Sequence, residues 1–287
     1  SVMSVIVNIF PDNLFKPMVN ADMLPVIVIA IFLGAGCLAA GNKGAKIADL
    51  INCGQEVVMK IMMMIISFTP YGVFCLMTNV VAENGPQIIG KLALIIGVAY
   101  LGYLIHVVVV YGLSVTFLSK MNPITFFKGI APAMITAFTT TSSNATLPVN
   151  IECCNKMGAE PEISAFVLPL GATINMDGTA IYQAVAAVFI ACCYGIELTL
   201  GDMAMIVLTA TLASVGTAGT PGAGMIMLAM VLTQVNIPVA GIALIAGVDK
   251  LFDMGRTTLN ITGDATCALW ISRLEREKRS RQVKANK

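Results

Sequence analysis

Six residues near the C-terminal end could do chemistry together. Asp249, Asp253, Arg256, Thr257, Asn260 and Asp264 follow one another at offsets 0, 4, 7, 8, 11 and 15. At ~100° per residue their directions spread over only about 100° of a helix circumference. The other faces of that helix carry Leu251, Phe252, Leu259 and Ile261. Three carboxylates, a guanidinium, an amide and a hydroxyl therefore share one stripe of an otherwise apolar segment. Arg256 cannot neutralise three acids by itself, so a bound cation or a proton is required. Ionisable residues gathered on one stripe of an apolar helix usually mark a substrate or ion path.

Three further polar clusters interrupt apolar stretches. Thr139-Thr140-Thr141-Ser142-Ser143-Asn144-Ala145-Thr146-Leu147-Pro148 follows an apolar arm that, at 1.5 Å per residue, reaches only about 20 Å. Such an arm reaches a membrane midplane and turns back, so 124–150 is read as a re-entrant helical hairpin entering from the cytoplasmic side. Ser214 to Gly224, rich in Gly and Thr, is flanked by similar arms. It predicts a second hairpin, 203–236, of opposite entry, and two opposed hairpins indicate an inverted repeat. Between them, Asn175-Met176-Asp177-Gly178-Thr179 predicts unwound backbone in the middle of a long apolar stretch. Unwound backbone survives at membrane depth only where it lines a protein or water cavity, and its carbonyls then serve hard cations. The alternative is a kinked helix with satisfied Asn and Thr side chains. It leaves Asp177 costing about 2.5–3.5 kcal/mol or more at the midplane.

The elements that must position these residues are membrane helices. Of 287 residues, 57% are hydrophobic and 11% charged, against roughly 25% charged in soluble domains. Mean hydropathy is +0.85. Thirty-three charged residues, 17 basic and 16 acidic, cannot coat a soluble domain of this length. The net charge of +1 excludes a nucleic-acid binder. Apolar stretches near 24–40, 57–81 and 92–118 are each long enough to cross a hydrocarbon layer of ~30 Å. The joints with Lys43 and Lys46 and with Lys120 and Lys128 are basic, and the tail 273–287 holds seven Lys/Arg against Glu275 and Glu277. The joints with Glu83 and with Glu197 and Asp202 are not basic, so the basic joints and the C-terminal tail are expected on the cytoplasmic side. The eight cysteines show no C-x-x-C spacing and there is one histidine, His106. They read as small buried hydrophobes rather than as a zinc site or a disulfide framework.

The motifs NMDGT at 175–179, GTAGTPGAG at 216–224 and DMGRTTLNITGD at 253–264, with the serine-rich apex ending in Thr146-Leu147-Pro148, resemble the glutamate/aspartate:cation symporters, a family of dicarboxylate/amino acid:cation symporters. The likeness runs from about Asn8 to Leu274. It implies an all-α integral membrane protein, multi-pass in the cell membrane and surrounded by lipid. The family's architecture is a homotrimer in which a transport domain with two opposed hairpins and discontinuous helices moves past a scaffold as an elevator. On this sequence, 1–90 would be partial scaffold, 91–272 the transport domain and 273–287 a cytoplasmic tail. The family also implies three further membrane segments ahead of the first span.

Residue by residue, the resemblance gives Arg256, assisted by Thr179, the substrate's side-chain carboxylate. It gives Asp253 the α-ammonium, and Asn260 with Ser143 the α-carboxylate. Thr220 and Gly224 would close over the substrate, and Thr257 joins the substrate set. One sodium ion would use Asp264 with carbonyls of Gly171, Asn175 and Asn260. A second would use carbonyls of Thr173, Ser214, Val215 and Thr217. A third would use Asp177 with the Asn175 side chain, and Met176 is counted with the sodium residues. The expected cargo is aspartate or glutamate, with Na+ as coupling ion and no organic cofactor.

Proton coupling would neutralise the same carboxylates. A C4-dicarboxylate has no ammonium for Asp253, and a neutral amino acid leaves Arg256 unpaired in a low-dielectric site. A channel wants a continuous polar lining. An aspartyl protease built on Asp264 and Asp177 has no use for Arg256 and Asn260, so no enzyme is expected. Relatives with an additional arginine near the substrate carry it where this chain has Thr141 or Met254; Lys250, three residues before Asp253, either restores that charge or is a structural or interfacial lysine. Relatives that counter-transport potassium carry glutamate where this chain has Gln183, so no potassium coupling is expected.

Overall fold

The computed structural model describes residues 10–11, 13–20, 23–215, 217 and 219–285. Residues 1–9, Asp12, Ala21 and Asp22 of the region assigned to the scaffold lie outside the described residues. So do Gly216 and Ala218 of the second apex, and Asn286 and Lys287 of the tail. The described residues form helices and turns with no strand among them. Contacts divide the chain into two units, 1–79 and 80–287.

The first unit holds α1 (Lys16–Asn20), α2 (Met23–Ala39), α3 (Asn42–Ser67) and most of α4 (Thr69–Asn84). Asn13 accepts from the N–H groups of Phe15 and Lys16 at 2.8 and 3.1 Å, satisfying donors that the first turn of α1 cannot use internally. Gly41, at φ 56°, turns the chain between α2 and α3. Two expectations fail here. The polar joint 41–50 is helical from Asn42 onward, and the apolar stretch 57–81 is not one helix, because it breaks at Phe68. Pro70 has no N–H to donate to the turn before it, so the chain closes a short turn at Phe68 and restarts with proline in the first turn of α4.

The second unit opens with α5 (Gln87–Ile105), which passes through a π-helical turn, His106–Tyr111, into α6 (Gly112–Phe117). Two helices then fold back on each other, α7 (Pro123–Thr140) and α8 (Ser143–Lys156). Asn122 caps α7 by accepting from Ile124 N–H at 2.8 Å, and Ser142 caps α8 by accepting from Ala145 N–H at 3.2 Å. The apex between them is therefore only Thr141 and Ser142, with Thr141 in the left-handed region. Next come α9 (Pro161–Ile174) and α10 (Asp177–Cys193), separated by the non-helical Asn175 and Met176. A second folded-back pair follows, α11 (Leu200–Val215) and α12 (Ala223–Gln234). A 3-10 turn, Val239–Gly241, and α13 (Ile242–Ala246) lead to α14 (Asp249–Ala285), which carries the acidic stripe and the basic tail on one helix.

The long α14 packs against α7, α9 and α10. Phe126, Ile130, Ala133 and Ala137 of α7, Leu168 of α9 and Ala265 and Ala268 of α14 are fully buried there. Hydrocarbon solvates apolar side chains as well as a core does, so close packing through small residues holds such helices together. Large apolar side chains face outward along α5, with Leu94 69% and Leu104 59% exposed. The continuous stretch 87–117 and the stretch 161–193 are long and apolar enough to cross a membrane. The cysteine expectation holds for Cys153 and Cys154, which are buried. It fails for Cys53, Cys75, Cys192 and Cys193, which are exposed. In an apolar surround a small weakly polar thiol sits at the surface at little cost.

Candidate functional site

All six residues of the stripe are buried, Arg256 and Asp264 to 2% exposure. Helical geometry puts them on one face, and three other parts of the unit close over that face. One is the apex of α7–α8, another the break between α9 and α10, and the third the apex of α11–α12. The two apices touch: Ser142 Oγ donates to the Gly219 carbonyl at 3.0 Å, and the Asn144 N–H donates to the same oxygen at 3.3 Å.

A small cavity lies where they meet, close to the least volume that holds one water. Ser143, Thr179, Thr220, Gly224, Asp253, Arg256, Thr257 and Asn260 all line it, with Thr141, Met176, Thr217 and Gly219. Every residue expected to bind substrate therefore converges on one space from four separate segments. Within it, Arg256 Nε donates to Asp253 Oδ1 at 2.9 Å and Nη1 donates to Asp249 Oδ1 at 3.3 Å. Its guanidinium carbon stands 4.7 Å from the centre of the Tyr182 ring, a cation–π placement. Thr257 Oγ1 donates to Asp253 Oδ1 at 3.0 Å. Arg256 Nη2 is buried with no hydrogen-bond partner.

The carbonyl-rich end of the site is built on the helix break. Asn175 and Met176 leave helical geometry, at φ −104°, ψ 93° and φ −123°, ψ 53°. Asn175 Nδ2 donates to Asp264 Oδ1 at 2.8 Å and to the Asn260 carbonyl at 3.4 Å. Asn260 Oδ1 accepts from the Gly178 N–H at 2.7 Å, while its Nδ2 reaches Met176 Sδ at 3.0 Å and Thr179 Oγ1 at 3.4 Å. Gly171 lies directly against the Asp264 carboxylate, so close that a Cβ there would overlap it. The four residues expected around one sodium ion, Gly171, Asn175, Asn260 and Asp264, are thus neighbours. Asp264 Oδ2 is buried and unpartnered.

Thr173 closes the end of α9, while Ser214, Val215 and Thr217 close the end of α11. Thr173 and Val215 are exposed and Ser214 and Thr217 are buried. Two helix C-termini carry the negative ends of their dipoles, which favours a cation. Asp177 is engaged elsewhere. Its Oδ2 accepts from Tyr111 OH at 2.7 Å and lies 3.3 Å from His106 Nε2, whereas the Asn175 amide is given to Asp264.

The sequence pattern assigns no role to Tyr182 or Tyr111, and marks His106 only as the single histidine. His106 and Tyr111 are five apart, which is about 140° around an ordinary helix, so spacing gives no hint that they act together. The π turn closes from i to i+5 and brings them to one face. Asp249 was visible in the stripe as an acid, but its pairing with Arg256 depends on the guanidinium's rotamer.

An apolar helical bundle thus encloses a small buried, charged cavity between two hairpin tips. Residues 1–274 match the sodium:dicarboxylate symporter family, and the chain belongs to that family. It is 34% identical over 275 residues to a proton/sodium-glutamate symport protein of Geobacillus stearothermophilus, covering 96% of this chain and 65% of that one. It is 39% identical over 247 residues to an excitatory amino acid transporter of Caenorhabditis elegans, covering 85% of this chain and 49% of the relative. The same identity over 247 residues relates it to human excitatory amino acid transporter 2, covering 85% of this chain and 43% of that one. The chain thus spans between 43% and 65% of the length of these curated relatives.

Proposed function

We propose that this protein is a secondary active symporter that carries aspartate or glutamate across the cell membrane with sodium. One observation carries the reading: two buried polar atoms of opposite appetite, Arg256 Nη2 and Asp264 Oδ2, are left without partners on the same helix face. A buried unpaired donor on a guanidinium calls for an anion, and an unpaired carboxylate oxygen calls for a cation. A cargo carboxylate and a sodium ion answer both together. The relatives' names, glutamate symport and excitatory amino acid transport, point the same way.

In this reading Arg256 and Thr179 hold the side-chain carboxylate, Asp253 the α-ammonium, and Asn260 with Ser143 the α-carboxylate. Thr257 steadies Asp253, while Thr220 and Gly224 form the gate. Sodium ions bind Asp264 with Gly171, Asn175 and Asn260 carbonyls, and the carbonyl ends at Thr173, Ser214, Val215 and Thr217. A third ion uses Asp177, with Met176 in the unwound segment. Bound sodium favours the closed gate over the loaded site, and only such a difference in affinity between states can couple the two fluxes. Residues 91–272 move as the transport domain past a scaffold in a lipid-embedded homotrimer, with the tail in the cytoplasm.

The test is uptake of radiolabelled L-aspartate into proteoliposomes holding the full-length protein. An inward sodium gradient is expected to accumulate aspartate uphill, and choline in place of sodium to abolish it. Downhill equilibration alone overturns the symport reading. Proton coupling is the second reading, because a proton on Asp264 satisfies the same lone oxygen. Uphill uptake on a pH gradient without sodium selects it.

A further inference from the structure

Lys250 stands beside this site and has no part in the binding roles proposed above. It lies in the first turn of α14, where the helix dipole is positive and a basic side chain is disfavoured, and it is an exposed residue. Its Nζ reaches across to the apex of the first hairpin and donates to Thr141 Oγ1. Thr141 is buried, is held at φ 53° and lines the cavity. The Thr141 hydroxyl already spends its proton on the Thr140 carbonyl at 2.7 Å, so toward Lys250 it can only accept. Asp249 and Asp253, the acids nearest in sequence, are both paired with Arg256, which leaves the Lys250 ammonium its charge unspent at the mouth of the site. Asp249 and Asp253 against Arg256 leave the buried cluster behind the cavity wall one negative charge in excess, and an acidic amino acid brings one more. Lys250 cancels the first. A residue that breaks a local rule without local gain is where function is expected.

We infer that Lys250 is a specificity-determining cation of the substrate site: from α14 it rests on the tip of the first hairpin and draws in anionic cargo. The inference rests on the proposed transport of an acidic amino acid. A lysine that only pins the hairpin, or only extends toward the membrane surface, predicts different behaviour. Lys250→Gln retains an N–H donor for Thr141 and removes the charge. Lys250→Met removes both, and Lys250→Arg keeps both.

The measurement is L-aspartate affinity of the purified full-length protein at fixed sodium, over a series of choline chloride concentrations. Gln and Met are expected to weaken binding roughly tenfold at low ionic strength, and to flatten its dependence on salt. Arg is expected to remain within about twofold of the parent, as retained charge requires. If Lys250→Gln binds as the parent does, with the same salt dependence, the inference is overturned and Lys250 is a structural donor. An equal loss at every salt concentration also overturns it, because pinning the hairpin is then its whole role. Should Lys250→Met fail to fold, Gln and Arg still decide. A parent protein that binds no aspartate at any sodium concentration sinks the proposed function instead, and is recognised before any variant is read.

Discussion

The backbone N–H of Gly222 donates to Asp253 Oδ2 at 2.9 Å, so the tip of the second hairpin is tied to the carboxylate that holds Arg256 through its other oxygen. Hairpin tip and cavity share one acid. In the proposed reading, a cargo ammonium at Asp253 competes with the hairpin tip for Oδ2 and with Arg256 for Oδ1, so its binding is expected to change how the hairpin is held.

Asp253→Asn tests that sharing. The amide keeps an acceptor oxygen but gives the ammonium no counter-charge, and it leaves Arg256 with Asp249 alone. Breaking a buried charged pair costs about 3–5 kcal/mol, so L-aspartate affinity is expected to fall at least roughly 100-fold. Equilibrium binding in detergent at saturating sodium measures it, and an unchanged constant would remove Asp253 from the site.

Arg256→Cys deletes the one cation among the described residues of the cavity wall and leaves Asp249 and Asp253 without their shared counter-charge. Acidic amino acids are expected to lose measurable uptake, while small neutral amino acids, having no side-chain carboxylate to satisfy, gain entry. Competition of unlabelled serine and aspartate against labelled substrate in proteoliposomes checks both halves. Aspartate affinity that survives the substitution contradicts the assignment.

The stripe on α14 was legible because helical periodicity is a property of sequence alone, and because ionisable groups in an apolar setting are too costly to be incidental. The break at Asn175–Met176 and both hairpin apices were legible for a related reason: Gly, Pro and hydroxyl clusters cannot continue a membrane helix without a cavity to serve. What stayed hidden depends on side-chain direction and on exceptions to periodicity. Tyr111 and His106 meet Asp177 only because a π turn resets the helical face. The restart of the chain at Thr69 was masked by the uniform hydrophobicity around it, since a proline in an apolar stretch reads equally as a kink or as a new first turn.

Asp264→Asn addresses the cation end. Its Oδ1 receives the Asn175 amide at 2.8 Å, its Oδ2 has no partner, and Gly171 presses against the carboxylate. An amide of equal size keeps the packing and removes the charge. The sodium concentration giving half-maximal aspartate binding is expected to rise about tenfold or more, as loss of a full charge beside a bound cation requires. Binding at saturating sodium recovers in part. A titration of binding against sodium reads this directly, and an unmoved midpoint would place the cation elsewhere.

The tail offers a pH dependence outside the membrane. The hydrogen bond from the Arg273 guanidinium to Glu277 holds that carboxyl below the ordinary range. A depressed carboxyl stabilises the folded tail above its unfolded pKa, and that contribution is lost as pH falls through the lower folded value. The Glu277 carboxyl is partly open to solvent, so added salt is expected to weaken the effect. Carboxyl chemical shifts of Glu277, followed by NMR from neutral to acid pH, are expected to titrate late in the parent and closer to the ordinary value in Arg273→Gln, with Lys120 and Arg281 still lowering it.

Gly178 shows how closely two helices must approach to make the site. A Cβ at this position would overlap the backbone of Arg256 on α14, and the Gly178 N–H also supplies the 2.7 Å bond that orients Asn260. Gly178→Ala therefore has to push α10 away from α14 at the point where Thr179, Arg256 and Asn260 converge. Overpacking of this kind costs about 1–3 kcal/mol, and the displaced backbone carries two cavity residues with it. Both thermal stability in detergent and aspartate affinity are expected to drop. Gly97→Ala is the matched comparison, because nothing lies within 4 Å of a Cβ built there in the middle of α5. Replacing glycine by alanine inside an unobstructed helix gains up to about 1 kcal/mol, so Gly97→Ala is expected to bind like the parent and melt no lower. If the two alanines behave alike, the close approach of α10 to α14 is not what shapes the site.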